Sequence, residues 1–233
     1  MNDIHVWVTR DEPPNGPLSR ALKSHQLTPV LEPVIARQQI SNITHELKLL
    51  TPNDWLVLTS AFAIECIDKN YAGIPNVAVV SEKSAAKARA VGLRVALISK
   101  QKNAQSLFDD LKTIAKSRRV LYPRSSEAKL PIIPAGCFEL ASPILYETRP
   151  RNFNEAIIEE ENINIIAFTS PSAVCAVNEK IPLNSITTPI ASIGPTTTEA
   201  ITSTGARTAI QPETPSFSAL ARKIREKGIS TIK

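Results

Sequence analysis

The sequence predicts two parallel-sheet α/β lobes of the flavodoxin-like or Rossmann-like kind, and three observations predict them. Short β-branched runs alternate with amphipathic or Ala-rich stretches of helix length. Each junction carries Thr-Ser, Thr-Arg or Gly-Pro-Thr. The landmarks of one half also recur in the other at nearly constant spacing, which is the mark of an internal repeat.

Taken along the chain, Val8-Thr9-Arg10 ends a first strand and has its echo in Tyr122-Pro123-Arg124, while Leu31-Glu32-Pro33 is echoed by Leu145-Tyr146-Glu147. Trp55–Thr59 reads as a strand that leads into a helix over Ser60–Ile67; Ile163–Thr169 leads in the same way into Ser170–Val177. Val79-Val80-Ser81-Glu82-Lys83-Ser84 with Gly92 corresponds to Ser192-Ile193-Gly194-Pro195-Thr196-Thr197 with Gly205. Ile190–Ile193 leads into a helix over Pro195–Ser203, with Pro in its first turn and Gly205 just past its end. Strands joined to helices by short connections imply parallel sheets with helices on both faces, here about ten strands, about five per lobe.

Composition sets the outer limits. Of 233 residues 42% are apolar and 21% charged, enough for a sizeable core and unlike a disordered chain. Glycine is scarce, and no Gly-rich phosphate loop or nucleophile elbow occurs. Lys and Arg exceed Asp and Glu by 27 to 22, a modest balance that suits an acidic ligand. The basic residues are scattered and aromatics make up only 5%, so nucleic acid fits worst. The densest basic run, Lys112–Arg119, falls where a helix should end, and cations there complement its dipole. Asp109-Asp110 and Glu159-Glu160-Glu161 read as solvated helix surfaces. Cys66, Cys137 and Cys175 are isolated within apolar runs and read as reduced core residues; with His5, His25 and His45 they form no metal-ligand spacing. No stretch approaches the ~20 apolar residues of a membrane span, and the expectation is a cytoplasmic protein.

In open parallel sheets ligands bind beyond the carboxyl ends of the strands, where helix N-termini favour anions. The recurring hydroxyls lie at those ends. Ser60 and Ser170 would cap helices in any fold, but their presence in both halves points to a ligand role as well. Thr197 and Ser84 lie in first helical turns, and Arg10 and Arg124 end strands with guanidinium groups suited to carboxylates. Two such lobes would surround a polyanion without a metal. Tyr146, in the run Pro143–Arg149, is either a packing aromatic or a hydrogen-bond donor.

These segments resemble the uroporphyrinogen-III synthase family: Val8-Thr9-Arg10, Leu58-Thr59-Ser60, Leu121-Tyr122-Pro123-Arg124, Tyr146-Glu147-Thr148-Arg149, Phe168-Thr169-Ser170-Pro171-Ser172-Ala173-Val174 and Ser192-Ile193-Gly194-Pro195-Thr196-Thr197 with Gly205. The resemblance spans nearly the whole chain in order. It implies two α/β lobes joined by a two-stranded linker, the first lobe made of residues 1–34 plus 150–233 and the second of 35–149, with linker strands near 31–35 and 145–149. The repeat alone suggests instead a linear cut near residue 115.

The resemblance further implies conversion of hydroxymethylbilane to uroporphyrinogen III, with loss of water, inversion of ring D and no cofactor or metal. Loss of the hydroxyl gives an azafulvene that closes through a spiro intermediate, and the enzyme works by orienting the chain. Tyr146 then becomes the catalytic donor, since a phenol stays protonated at neutral pH. Thr197, Ser84, Ser60, Ser170, Arg10 and Arg124 become substrate-binding residues. The implied partner is this small molecule alone, with no nucleic acid and no membrane, and the protein is expected to be a monomer. One departure stands out: the family's usual Val-Gly-x-x-Thr is here Val80-Ser81-Glu82-Lys83-Ser84, which puts the second-lobe anion site in doubt. The alternative reading is a non-catalytic tetrapyrrole- or small-anion-binding module of the same fold.

Overall fold

Strands that are apolar on both faces can survive only inside a sheet covered on both sides. Trp55–Leu58 and Ile165–Phe168 are such strands, buried at every position. In this computed structural model they occupy the interior of two parallel sheets. The structure describes residues 3–68, 70, 75–101 and 103–231, with side chains to 227. By contacts the chain divides into two units, Met1–Ala36 with Arg149–Lys233, and Arg37–Thr148.

In the first unit β1 (His5–Val8) lies between β2 (Thr28–Leu31) and β11 (Ile165–Phe168), and β12 (Ile190–Ser192) follows β11. All three pairings are parallel, and Ala191 makes a further parallel bridge to Ile210. Alternation along β1 separates two cores. Val6 and Val8 join Leu18 and Leu22 of α1 (Pro17–Ser24) and Leu220 and Ile224 of α9 (Phe217–Thr231). Trp7 turns the other way, to the cluster that holds Ile157 of α6 (Ile157–Glu160), Val174 of α7 (Pro171–Asn178) and Ile201 of α8 (Pro195–Ser203).

The second unit repeats the plan. Its sheet runs β6 (Val95–Ile98), β5 (Asn76–Val79), β4 (Trp55–Leu58), β7 (Arg119–Leu121), β9 (Glu139–Ala141), all parallel. Leu56 and Leu58 pack with Leu47 of α2 (Thr44–Lys48), Ile64 of α3 (Ala61–Glu65) and Ala85 of α4 (Glu82–Ala90). Trp55 and Val57 face Phe108 and Leu111 of α5 (Ala104–Ile114).

The two strand orders differ by a cyclic shift. Counted in chain order within each unit, the first runs 2-1-3-4, with Ile210 at the far edge, and the second 3-2-1-4-5. Starting the second at β7 instead of β4 turns it into 2-1-3-4-5. The sequence repeats fall on matching strands: Val8-Thr9-Arg10 runs off the end of β1 and Tyr122-Pro123-Arg124 follows β7, while Ser60 follows β4 and Ser170 follows β11.

A third sheet joins β3 (Ile35–Gln39), β10 (Ile144–Pro150) and β8 (Arg124–Ser125). The backbone passes from one unit to the other within β3 and β10. Ile40 N donates to Leu145 O at 3.0 Å and Arg151 N to Val34 O at 2.8 Å, one bond near each end of that pair. A register shift interrupts the β10–β8 pairing between Ile144 and Tyr146.

Several expectations need correction. Twelve strands, not ten, are present among the described residues; the additional ones are short and lie at edges or in the third sheet. The partner of β10 is Ile35–Gln39, because Leu31 is already paired to Val8 as the last residue of β2. The cysteines are not all core residues. Cys66 and Cys137 are half-buried, and Cys175 is exposed on α7 while Ala173, Val174, Ala176 and Val177 take its inner face.

Candidate functional site

In each unit the strand order reverses direction between two central strands: β1 and β11 in the first, β7 and β4 in the second. Loops leaving the carboxyl ends of such a pair diverge and open a crevice. Hydroxyl groups bridge both pairs. Thr9 Oγ1 donates to Ala167 O at 2.9 Å in the first unit; Thr59 Oγ1 and Tyr122 OH stand 3.3 Å apart in the second.

The second unit places its chemistry on α3. Ser60 has extended backbone and caps that helix, its Oγ accepting from Ala63 N at 3.0 Å. Tyr146 of β10, only 7% exposed, donates its hydroxyl to the same Oγ at 2.8 Å. A serine oxygen has two acceptor sites, and both are now used, so the Ser60 hydrogen is left to donate elsewhere. Phe62 presses against the Tyr146 ring in a T-shaped contact, centroids 4.9 Å apart, and holds the phenol in place. Half-buried Cys66 packs against the same cluster; burial and then the Glu65 charge push its thiol above its ordinary pKa.

The remaining second-unit residues are placed as follows. Ser84 lies in the first turn of α4, its N donating to Ser81 Oγ at 3.2 Å and its hydroxyl 3.1 Å from the Ser81 hydroxyl. Ser81, not Ser84, is therefore the helix cap. Arg124 opens β8 and donates from one terminal nitrogen to Ser125 O at 3.1 Å; its buried Nε has no hydrogen-bond partner among the described residues.

In the first unit Ser170 caps α7, accepting from Ala173 N at 3.4 Å, with Ser172 Oγ 3.3 Å away. Arg10, two residues past β1, stands with Nε 3.2 Å from Glu12 Oε2 and with its guanidinium carbon 4.6 Å from the centre of the Phe217 ring. Thr197 is 3% exposed, so its hydroxyl is enclosed in the first turn of α8. Gly194 leaves α8 without a side-chain cap, and Pro195 brings no N–H. Gly194 is extended, and a Cβ there would stand 3.1 Å from Pro215 Cγ, closer than a Cβ ordinarily sits.

Sequence reasoning missed four participants. Phe62 carries no signal of its own and Tyr122 enters only as a landmark of the repeat; strand order alone brings them to the site. Ser81 carried a usable signal, a serine one residue ahead of an Ala-rich helix. Thr198, 2.5 Å from the buried Ser192 hydroxyl and bonded to Gln211, ties α8 to the end of β12, and no local pattern marks it. Among the described residues no group of three His, Cys, Asp or Glu could hold a metal, and no helix is long and apolar enough to cross a membrane.

The family profile described as uroporphyrinogen-III synthase HemD matches residues 16–222. The uroporphyrinogen-III synthetase structure from Helicobacter pylori 26695 is similar in fold, with a TM-score of 0.60 at 15% identity, covering 95% of this chain and 97% of that one. A mutant uroporphyrinogen III synthase structure from Thermus thermophilus has a TM-score of 0.50 at 15% identity, covering 97% and 99%. A comparison with curated proteins by sequence finds no match.

Proposed function

The chain belongs to the uroporphyrinogen-III synthase family and acts in tetrapyrrole biosynthesis, and from that premise we propose how its own residues close the macrocycle of hydroxymethylbilane to give uroporphyrinogen III. The observation that carries the reading is the part-buried chain of donors from Tyr146 to Ser60, anchored by Ala63 N.

The substrate's hydroxymethyl C–O bond breaks and water leaves. Ser60 donates its hydrogen to the departing oxygen, Tyr146 replaces it from behind, and the pyrrole N–H that becomes the azafulvene nitrogen returns a proton to the pair. No net proton is gained or lost. Such donation contributes about 10²-fold or more to a rate. The substituted carbon of ring D then attacks, and the spiro intermediate rearranges with ring D inverted.

Directing that attack, rather than the easier one at the unsubstituted carbon, is a matter of orientation. Arg10 and Arg124 supply charge to the substrate carboxylates. Ser170, Ser84 and the α8 turn that contains Thr197 supply hydrogen bonds and the helix dipole. The reaction is that of a cyclising lyase which needs only protons and positioning, hence no cofactor, in a cytoplasmic monomer. The family match favours this enzyme over a non-catalytic binding module.

A coupled assay with freshly generated hydroxymethylbilane, separating type I from type III uroporphyrin after oxidation, tests the reading. Type III should dominate and fall about 10²-fold in rate with Tyr146→Phe. Type I alone from folded protein overturns the synthase reading. Type III undiminished in Tyr146→Phe keeps the enzyme and removes the tyrosine from its mechanism.

A further inference from the structure

The loop between β1 and α1 supplies its own anion to the helix that follows. Glu12 has a side chain only 2% exposed. Its Oε1 accepts from Ser19 N at 2.6 Å and from the Ser19 hydroxyl at 2.7 Å, and its Oε2 accepts from Leu18 N at 3.2 Å. Those N–H groups belong to the first turn of α1, which has no side-chain cap from its own Gly16. Gly16 makes room for the arrangement, since a Cβ there would stand 2.6–2.8 Å from the Glu12 side chain.

The same Oε2 lies 3.2 Å from Arg10 Nε, and the Arg10 guanidinium lies over Phe217 of α9. The contact with Oε2 is an ion pair without hydrogen-bond alignment, so the buried carboxylate charge draws the guanidinium toward α1 while the Phe217 ring covers one face of its plane. Glu12 in turn cannot swing, because three donors from α1 hold its carboxylate. Arg10 is thereby braced from the helix and not merely paired with a surface acid.

We propose that Glu12 is a positioning residue for substrate binding: its buried charge holds the Arg10 guanidinium in place before a substrate carboxylate arrives. This rests on the reading that Arg10 holds such a carboxylate. A pre-set arginine loses less freedom on binding than a mobile one, and that difference appears in KM.

The test is a double-variant cycle on the full chain with hydroxymethylbilane as substrate. Glu12→Gln keeps the volume and an acceptor for α1 but removes the charge facing Arg10. The expected result is a KM raised about tenfold, equivalent to about 1.4 kcal/mol, with kcat and the share of type III product unchanged. Arg10→Gln should raise KM at least as much, and adding Glu12→Gln to it should change nothing further. Glu12→Ala, which withdraws the carboxylate from α1 and Arg10 alike, should repeat the Glu12→Gln effect on KM and lower the melting temperature besides. KM effects that multiply in the double variant overturn the proposal, as does an unchanged KM in Glu12→Gln beside a raised one in Arg10→Gln. An unchanged KM in Arg10→Gln removes the premise about Arg10 while leaving type III synthesis intact. Absence of type III from the unaltered chain is the separate failure of the synthase reading.

Discussion

Asp54 and Asn164 stand at the same place in the two units, one residue before β4 and one before β11, and make the same bond with different charge. Asp54 Oδ1 accepts from Arg119 N at 3.1 Å, at the start of β7; Asn164 Oδ1 accepts from His5 N at 2.8 Å, at the start of β1. Each therefore ties the beginnings of the two strands that flank the crevice. Two further matched places differ. Ser60 receives a tyrosine hydroxyl, whereas Ser170 stands beside another serine. Ser81 caps α4 with its own side chain, whereas Gly194 gives α8 no side-chain cap. A backbone plan used twice thus keeps its connections while its side chains part ways: the bonded tyrosine and serine hydroxyls stand in the second unit, and a helix end without a side-chain cap stands in the first.

The largest test of this division is Tyr146→Phe, with its expected loss of about 10²-fold in type III formation. No first-unit hydroxyl should match it. Thr198→Val, which breaks the contacts to Ser192 and Gln211, should act on KM and leave the type III share intact. An equal fall in kcat from Thr198→Val would erase the contrast between the units.

Next in size is the charged strut. Burial raises the Asp54 carboxyl's pKa, but hydrogen bonds from Thr51 N–H, the Thr51 hydroxyl and Arg119 N–H, with the Arg119 charge, outweigh it and hold the group below its ordinary value. A carboxyl depressed in the folded state adds stability that is present above the unfolded value, ~3.9, and is lost as pH falls through the lower folded value. Asp54→Asn should therefore lower stability by about 1–2 kcal/mol at neutral pH. The gap between variant and parent should shrink toward pH ~3, as urea midpoints at both pH values would show. Asn164→Ala should cost about 1 kcal/mol with no such pH dependence. A gap for Asp54→Asn that stays constant with pH would mean the carboxylate charge plays no part.

Much of the fold is legible in the sequence because its longer elements obey local rules. α8 begins and ends where Pro195 and Gly205 place it, with Gly205 at φ 82°, and Ser60 and Ser170 cap the helices expected of them. What stays hidden depends on distance along the chain. β8 is only Arg124–Ser125, too short for any alternation to show, and it exists because β10 lies beside it. The Tyr146–Ser60 bond joins residues 86 apart, and the Thr59–Tyr122 contact joins residues 63 apart. No periodicity encodes either one, since both follow from strand order. Glu12 was invisible as a brace for a related reason: its partners come from a helix, a strand end and, through Arg10, the far C-terminal helix. The repeat located the matched positions, but only the topology says which of them carry the same bond.

The paired caps sharpen the comparison at the next scale down. Ser60→Ala and Ser170→Ala each remove an N-cap and should each cost about 1 kcal/mol of stability, read from urea unfolding. Their kinetics should separate. Ser60→Ala strips Tyr146 of its acceptor and should lower kcat. Ser170→Ala touches only binding and should raise KM. Matching kinetic effects would mean the tyrosine adds nothing to the serine beneath it.

The smallest effect tests whether Ser81 closes the α4 end. Ser81 accepts Ser84 N and so satisfies a donor that an outside carboxylate would otherwise take, and Glu82 adds a negative charge in the same turn. Gly194, its counterpart, offers no side-chain cap, and Thr197 N donates instead to the Gly194 carbonyl at 3.1 Å. Ser81→Gly should cost only a few tenths of a kcal/mol, because glycine is itself an acceptable cap residue. It should lower KM for hydroxymethylbilane as the freed N–H groups gain a carboxylate, and Ser81→Gly with Glu82→Gln should lower it further. A KM that rises instead would mean the Ser81 hydroxyl itself meets the substrate, and the two helix ends would then be alike in use though not in construction.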